Sequence, residues 1–403
     1  MTATSATSTA ATLAARTRAI ERPARLLDAL APDGFAWLRD GTGFVTAGVA
    51  ARVSPPLAER LLAGIDVDDR VDAPGTGAIA VGALPFGDAA GGELTIPASV
   101  TGVDAGGRAW RTEIGPPSSA AVARGSLAPA TRFGVEGRVS RAAWADQVRA
   151  VLDAIRAGDV EKVVLAREVL VQADAPFDAP AVVERLDETQ GGCTVFADDG
   201  LVGASPELLV RRRGREVWSR PMAGTLPRGA TEDADRAAEA ALVASAKNGL
   251  EHRLVVDAVV HGLREGGVDV TAVHGPEAAR LATVIHLATT IAGTVGARAA
   301  CSALDLALRL HPTPAVAGAP RDDALTMLQE LETFDRRRYA GPVGWVDAHG
   351  DGEWAVALRC AELDGTTARL VAGAGVVAGS DADTEWAETQ AKLEPMLRVL
   401  VQP

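Results

Sequence analysis

Hydrophobic positions along the chain change period several times, and the changes mark its elements. Behind Ser140, Trp144, Val148, Val151, Leu152 and Ile155 recur at helical spacing until Gly158. A serine that can accept from a first-turn amide and a glycine free to turn left-handed predict a capped helix between them. From Val160 to Val171 the pattern is that of a strand, with Lys162, Val164, Ala166 and Glu168 on one face and Val163, Leu165, Arg167 and Val169 on the other. Lys162 therefore opens a mostly apolar face.

From about Asp233 to Leu263 the spacing is helical again, with a break near Asn248 and Gly249. In its second part Leu254, Val255, Ala258 and Val259 form the apolar stripe, and Glu251, one turn earlier, points its carboxylate inward. Beyond Ser302 the order is helix, loop, helix, then a hairpin at Asp351 and Gly352 and a strand over Glu353 to Leu363. In that strand Arg359 shares a face with Ala355, Ala357 and Ala361, small neighbours that leave room beside a guanidinium. A strand over Ala368 to Ala372 runs into a glycine loop and a last helix, Asp381 to Val401.

Before Ser140 the chain is Gly- and Pro-rich from Arg22 to Phe133, with short β-like runs such as Gly43 to Ala47 and Ala78 to Val81. No internal repeat is present. Hairpin-type strands mixed with helices, without regular βαβ alternation, predict an α+β (complex α/β) fold in one interlocked domain. The expected division is a flexible tail over 1–20 and one domain over 21–403, with 21–135 poorer in motifs and 136–403 as its core.

Composition narrows the function. The net charge of −13 repels phosphate backbones, which excludes nucleic acid as the expected partner. No apolar window is long enough for a spanning helix and the start lacks a signal-peptide core, so no membrane partner and a cytoplasmic location are expected. Cys193, Cys301 and Cys360 are odd in number and far apart, which fits buried free thiols rather than disulfides or zinc. Of 40 basic residues only Lys162, Lys247 and Lys392 are lysines. A lysine can lose its proton where an arginine cannot, so these three positions invite a chemical reason.

The last helix carries Glu385, Glu388 and Lys392 on one face. An exposed Glu-Lys pair explains that arrangement by default, but Glu251 supplies a second inward carboxylate on another helix. Two carboxylates without a His or Cys cluster suit a hard cation that takes its other oxygens from water and substrate, which describes Mg²⁺. The glycines at 373, 375 and 379 are spaced as GxGxxxG near the C-terminal end, which is not the dinucleotide fingerprint, although glycine amides at a helix start can still hold a carboxylate. Asp347 to Glu353 lacks EF-hand spacing and reads as a turn.

Taken together, EKVVLARE (161–168), GASPELLV (203–210), RPMAGTLPRG (220–229), LEHRLVVDAV (250–259), HLATTIAGTV (286–295), LHPTPAVAGAP (310–320), YAGPVGW (339–345), ALRCAEL (357–363), AGAGVVAGSD (372–381) and EWAETQAKL (385–393) resemble the chorismate-utilising family. VGALPFGD at 81–88 is similar to it as well. The resemblance implies one large αβ sandwich domain of the anthranilate synthase component I type. It makes Glu251 and Glu388 the Mg²⁺ ligands, with Glu385 nearby, and assigns one substrate carboxylate to Arg359, Tyr339 and the amides near Gly373 and Gly375. Lys392, His286, Ala315, Gly224 and Thr225 would line the ring.

Within that family the resemblance points to an isochorismate synthase of the menaquinone or siderophore type. Lys162 stands where the aminating members carry glutamine and would activate water, so no glutaminase subunit is expected; with no heptad or long apolar surface helix in the sequence, a monomer is expected. Ala223 replaces the lysine of the PIKGT motif, which removes the covalent aminating route. Glu207 would protonate the departing C4 hydroxyl and must itself be protonated beforehand, while Lys162 must be neutral for part of the time. The alternatives are a salicylate synthase, which eliminates pyruvate afterwards, and a catalytically silent chorismate-binding protein.

Overall fold

The computed structural model describes residues 13–115, 129–296 and 301–401. Around the middle of the fold, the strand Lys162–Ala173 pairs antiparallel with Thr367–Val377 along its whole length, from Lys162 opposite Val377 to Gln172 opposite Thr367. Gly318 and Ala319 pair with the opening residues of the same strand, and Phe133–Gly137 pairs with its far half. The capped helix forms as Arg141–Ala157. Ser140 Oγ accepts from the Ala143 amide at 3.1 Å, Gly158 turns left-handed at φ 84°, and Trp144, Val148 and Val151 are buried.

Pairing is antiparallel almost throughout, and it joins the N-terminal third to the rest. Ile79–Ala83 pairs with Pro342–Asp347, and Phe35–Arg39 with Thr194–Asp198. One large mixed α/β domain results, with helices packed on a mostly antiparallel sheet. Its larger apolar core joins Trp144, Leu165, Val255, Leu306 and Trp354. A second core joins Val171, Leu186, Leu370, Leu393 and Met396 beneath the C-terminal helix Ala382–Val401.

Several expectations change. The first twelve residues lie outside the described ones, but Ala14–Ile20, expected in the tail, is a strand paired antiparallel with Ala109–Ile114 and parallel with Asp66–Asp69. Backbone pairing on both edges orders a segment whose small side chains gave no hydrophobic signal. The helical break falls at Ser245, between Glu232–Ala244 and Ala246–Glu265, because Ser245 Oγ caps the Asn248 amide; Asn248 and Gly249 lie inside the second helix. The strand expected over Glu353–Leu363 is two strands, Gly352–Val356 and Cys360–Asp364, separated where Arg359 takes φ 49°. The first pairs with Pro342–Asp347 and the second with Leu201–Ser205 and Thr367–Val377, so the chain changes partners there.

The expected glycine loop is mostly strand. Thr367–Val377 stays extended through Gly373 and Gly375, and only Gly379 turns left-handed, at φ 83°. Ser380 Oγ accepts from Val377, while Asp381 Oδ1 caps the last helix at Thr384. That helix is anchored along the face that carries Trp386 and Thr389. Buried Arg167 stacks on Trp386 at 4.1 Å and donates to Thr389 Oγ1 at 2.6 Å, and Trp144 Nε1 donates to the Ala382 carbonyl at 3.1 Å. Cys193 and Cys360 are buried free thiols, whereas Cys301 is half-buried just before the helix Ala303–Leu310. Among the described residues no helix is long and apolar enough to cross a membrane.

Gly318 makes a close approach to the strand that carries Lys162. At φ 147° a Cβ there would sit 2.1 Å from the Lys162 carbonyl oxygen and 2.7 Å from Ala324 Cβ. Gly318→Ala is expected to lower unfolding free energy by about 2–3 kcal/mol, from backbone strain and displaced pairing together. Chemical denaturation of the two proteins at one pH checks it; equal midpoints would show that the strand pair accommodates a side chain.

Candidate active site

The strands that meet around Lys162 leave a small pocket. Glu207 enters it from the Ser-Pro turn after Leu201–Ser205, a turn held by Ser205 Oγ donating to the Val356 carbonyl and accepting from the Glu207 amide. Gly224 and Thr225 come from Met222–Pro227, and His286 from the neighbouring strand, opposite Thr225. Ala315 reaches in from the loop after the helix ending at Leu310, and Tyr339 from the turn before Pro342. Arg359, Gly373, Gly375, Lys392 and Glu251 complete the wall. Every position expected to contact substrate thus faces one cavity, along with Glu207 and Glu251.

Lys162 lies just behind this wall and is fully enclosed. Its Nζ is 3.0 Å from Glu251 Oε1, yet it has no partner of good hydrogen-bond geometry among the described residues. A buried amino group so placed has unspent hydrogen-bonding capacity, which a water or ligand oxygen in the pocket would satisfy. The glycines of the central strand make this possible. A Cβ at Gly375 would stand 2.3 Å from Glu251 Oε1 and 2.9 Å from Lys162 Cε, and one at Gly373 would stand 3.3 Å from the Tyr339 hydroxyl. Their role in this fold is to clear space rather than to form a loop.

Glu207 is 4 % exposed, and its carboxyl is pushed up to about 7. Burial is the largest cause; the Met222 amide and the charges of Lys162, Lys392 and Arg359 oppose it without cancelling it. Burial also pushes the Tyr339 hydroxyl up to about 12, so it is a neutral donor. The Arg359 guanidinium is paired with no carboxylate among the described residues, and its Nη2 donates to His286 Nε2 at 3.1 Å. His286 is held well below its ordinary value by burial and then by Arg359 and Lys392. A neutral ring that accepts at Nε2 carries its proton on Nδ1, and Nδ1 lies 3.0 Å from Thr225 Oγ1. His286 therefore steadies Arg359 as well as lining the cavity.

Glu388 and Glu385 are not part of the pocket wall. Glu388 is bound to Lys392, 2.6 Å away, and Lys392 Nζ also donates to the Gly373 carbonyl at 2.9 Å. Glu385 is 1 % exposed and accepts from Lys247 Nζ at 2.7 Å. Its carboxyl is raised by burial first and by the charge of Glu388 second. Among the described residues no group of three or more His, Cys, Asp or Glu side chains is gathered closely enough to hold a metal unaided. Two residues with clear roles here, Lys247 and His252, were given none from the sequence. His252 follows Glu251, bonds Thr289 Oγ1 through Nε2 at 2.6 Å and is pushed down to about 4 chiefly by burial, so it is a neutral brace between helix and sheet. The scarcity of lysine was the signal that could have led to Lys247.

Residues 121–401 match the family model described as chorismate binding enzyme. The chain is 42% identical over 344 residues to the protein named MenF in Mycobacterium tuberculosis H37Rv, covering 81% of this chain and 87% of that one. With the isochorismate synthase EntC of Escherichia coli K12 it shares 34% over 385 residues, 92% and 95% of the two chains. The solved structure of MenF, the menaquinone-specific isochorismate synthase from Escherichia coli, matches at a TM-score of 0.82 and 26% identity, over 97% of this chain and 95% of that one. On this breadth of agreement the chain belongs to the chorismate-binding enzyme family.

Proposed function

We propose that this chain is an isochorismate synthase, an isomerase that exchanges the C4 hydroxyl of chorismate for a hydroxyl at C2. The observation that carries the reading is Glu207, a carboxyl held near 7, in one pocket with an arginine that no carboxylate pairs among the described residues, and an enclosed lysine without a well-aligned partner just behind the wall. Relatives and a structural neighbour named isochorismate synthases support it.

Arg359, aimed by His286, offers the rest of its guanidinium to the carboxylate of the enolpyruvyl arm, with the Tyr339 hydroxyl as a second donor. Lys162 Nζ, acting at this step as the neutral amine, accepts a proton from a water whose oxygen bonds to C2. The ring double bond shifts, the C4–O bond breaks, and Glu207 gives its proton to the leaving oxygen so that water departs. One water enters and one leaves, and in the reverse direction the two residues exchange roles. A single chain supplies every one of these groups, so the reading needs neither a glutaminase nor a second copy.

Glu251 and Glu388 are the residues we assign to Mg²⁺. They offer hard oxygen donors on two helices, and the repulsion between Glu388 and Glu385 is the kind of strain a divalent cation offsets. When bound, Mg²⁺ supplies positive charge against the ring carboxylate of the substrate, which brings the remaining oxygen donors.

Purified protein incubated with chorismate and Mg²⁺ is expected to yield isochorismate, resolved by chromatography, and to stop with EDTA. Lys162→Gln is expected to lower turnover by roughly 10²–10⁴-fold, the usual worth of a positioned base. Salicylate with pyruvate as products would move the chain to the eliminating branch, and no turnover even with added ammonia would leave a silent binder.

Because Glu207 must carry a proton, kcat/KM is expected to fall as pH rises through about 7. Stability carries the same signature. A carboxyl raised from 4.5 to about 7 by folding contributes stability that is fully present below 4.5 and lost as pH rises through 7. Glu207→Gln has no such loss, so between pH 4.5 and 8 its stability relative to the parent is expected to improve by on the order of 3 kcal/mol. Denaturation midpoints of both proteins across that range test it, and parallel curves would show that Glu207 is charged in the fold.

A further inference from the structure

Among 40 basic residues the chain keeps three lysines, and each holds one glutamate of this region: Lys162 with Glu251, Lys392 with Glu388, and Lys247 with Glu385. The first two pairs belong to the pocket and its rim. The third has no place in the reaction as derived, yet it is the pair whose carboxylate is most deeply buried, with Glu385 1 % exposed and Lys247 31 % exposed at its side chain.

Its position explains it. Lys247 stands in the first turn of Ala246–Glu265, four residues before Glu251, and Glu385 stands in the first turn of Ala382–Val401, three residues before Glu388. Spacings of four and three put each pair on one helical face. The bond from Lys247 Nζ to Glu385 Oε1, 2.7 Å long, therefore ties the helix of Glu251 to the helix of Glu388 one turn back from both. We propose that Lys247 and Glu385 form a positioning pair that fixes the separation of Glu251 and Glu388 and keeps Glu385 out of the metal's own coordination.

This rests on the assignment of Glu251 and Glu388 as a divalent cation site. Arginine would carry the charge, but its planar fork is wider than an ammonium and spreads over two acceptors. A lysine end, compact and rotatable, bridges a single oxygen at 2.7 Å. Loss of Lys247 leaves the Glu385 carboxylate buried beside Glu388 without its counter-charge, and that carboxylate then turns toward any cation bound between the helices. The pair does not touch the reacting atoms, so its effect is on metal affinity and on the geometry that follows from it.

Mn²⁺ serves as the probe, with the free ion measured by electron paramagnetic resonance in the presence and absence of chorismate. Lys247→Met is expected to weaken Mn²⁺ binding by roughly 10–100-fold, the usual worth of a residue that orients a ligand. Lys247→Arg is expected to recover part of that loss. The double variant Lys247→Met with Glu385→Gln should bind better than Lys247→Met alone, because removing the stranded carboxylate removes the competition for the cation. Circular dichroism establishes that each variant is folded.

Glu385→Gln against Glu388→Gln decides the matter even if Lys247→Met does not fold. The proposal expects a loss of only a few-fold from the first and a far larger one from the second. Equal losses would make Glu385 a ligand and overturn the proposal. So would Mn²⁺ affinity unchanged in Lys247→Met, while leaving the cation site itself in place. No Mn²⁺ binding by the parent protein with chorismate present would overturn the cation site and this inference together.

Discussion

Enclosing the side chain of Lys162 is the demand to which the neighbouring structure answers. A lysine with no solvent contact forfeits its hydration, and only an opposite charge at short range with further hydrogen bonding makes the position tenable. Glu251 supplies the charge at 3.0 Å but not a well-aligned hydrogen bond. Removing one partner of such a pair strands the other and typically costs about 3–5 kcal/mol. The helix that carries Glu251 must therefore lie where it does against the strand that carries Lys162. Gly375 must stay a glycine for the two side chains to pass it.

That contact organises the layers above and below. Lys162 and its strand are gripped on one side by Thr367–Val377, which brings Gly373 and Gly375 to the cavity, and on the other by Gly318 and Ala319, which bring the loop with Ala315. The C-terminal helix follows the central strand because Arg167, on the face opposite Lys162, stacks on Trp386 and bonds Thr389. One strand thus presents a lysine to the pocket and an arginine to the helix that borders it. Alternation, the simplest property of an extended chain, separates the two tasks.

Much of this was legible in advance, and the failures share a cause. The helix at Arg141–Ala157 could be read from its cap and its apolar stripe, because both are local. The two faces of the Lys162 strand, and Glu251 turned inward on its helix, followed from period alone. The pocket's membership came instead from family resemblance, since no spacing tells that Thr225, His286 and Arg359 will meet. What misled was local chemistry overruled by distant pairing. Gly373 and Gly375 look like loop residues, yet Ala166 and Val164 pair with them in a ladder. Cys360 begins a new strand because Gly203 pairs with it, and the change of partner leaves Arg359 at a positive φ that no alternation rule foresees. Ala14–Ile20 is ordered by two neighbours far away in sequence.

The electrostatics of the pocket also bear on how it would work with substrate present. Glu207 stands at about 7 although Lys162, Lys392 and Arg359 all draw it downward, which means that burial outweighs three cations. On the proposed function, a ligand with two carboxylates, held by Arg359 at one end, would bring negative charge among those cations and weaken their pull on Glu207. It would also exclude water from around the carboxyl, which adds to the desolvation. Both changes act in one direction and favour the protonated acid. On that function, arrival of a dianion would complete the protonation state its conversion needs, whereas a fully hydrated carboxyl in the same place would already have lost its proton near neutrality.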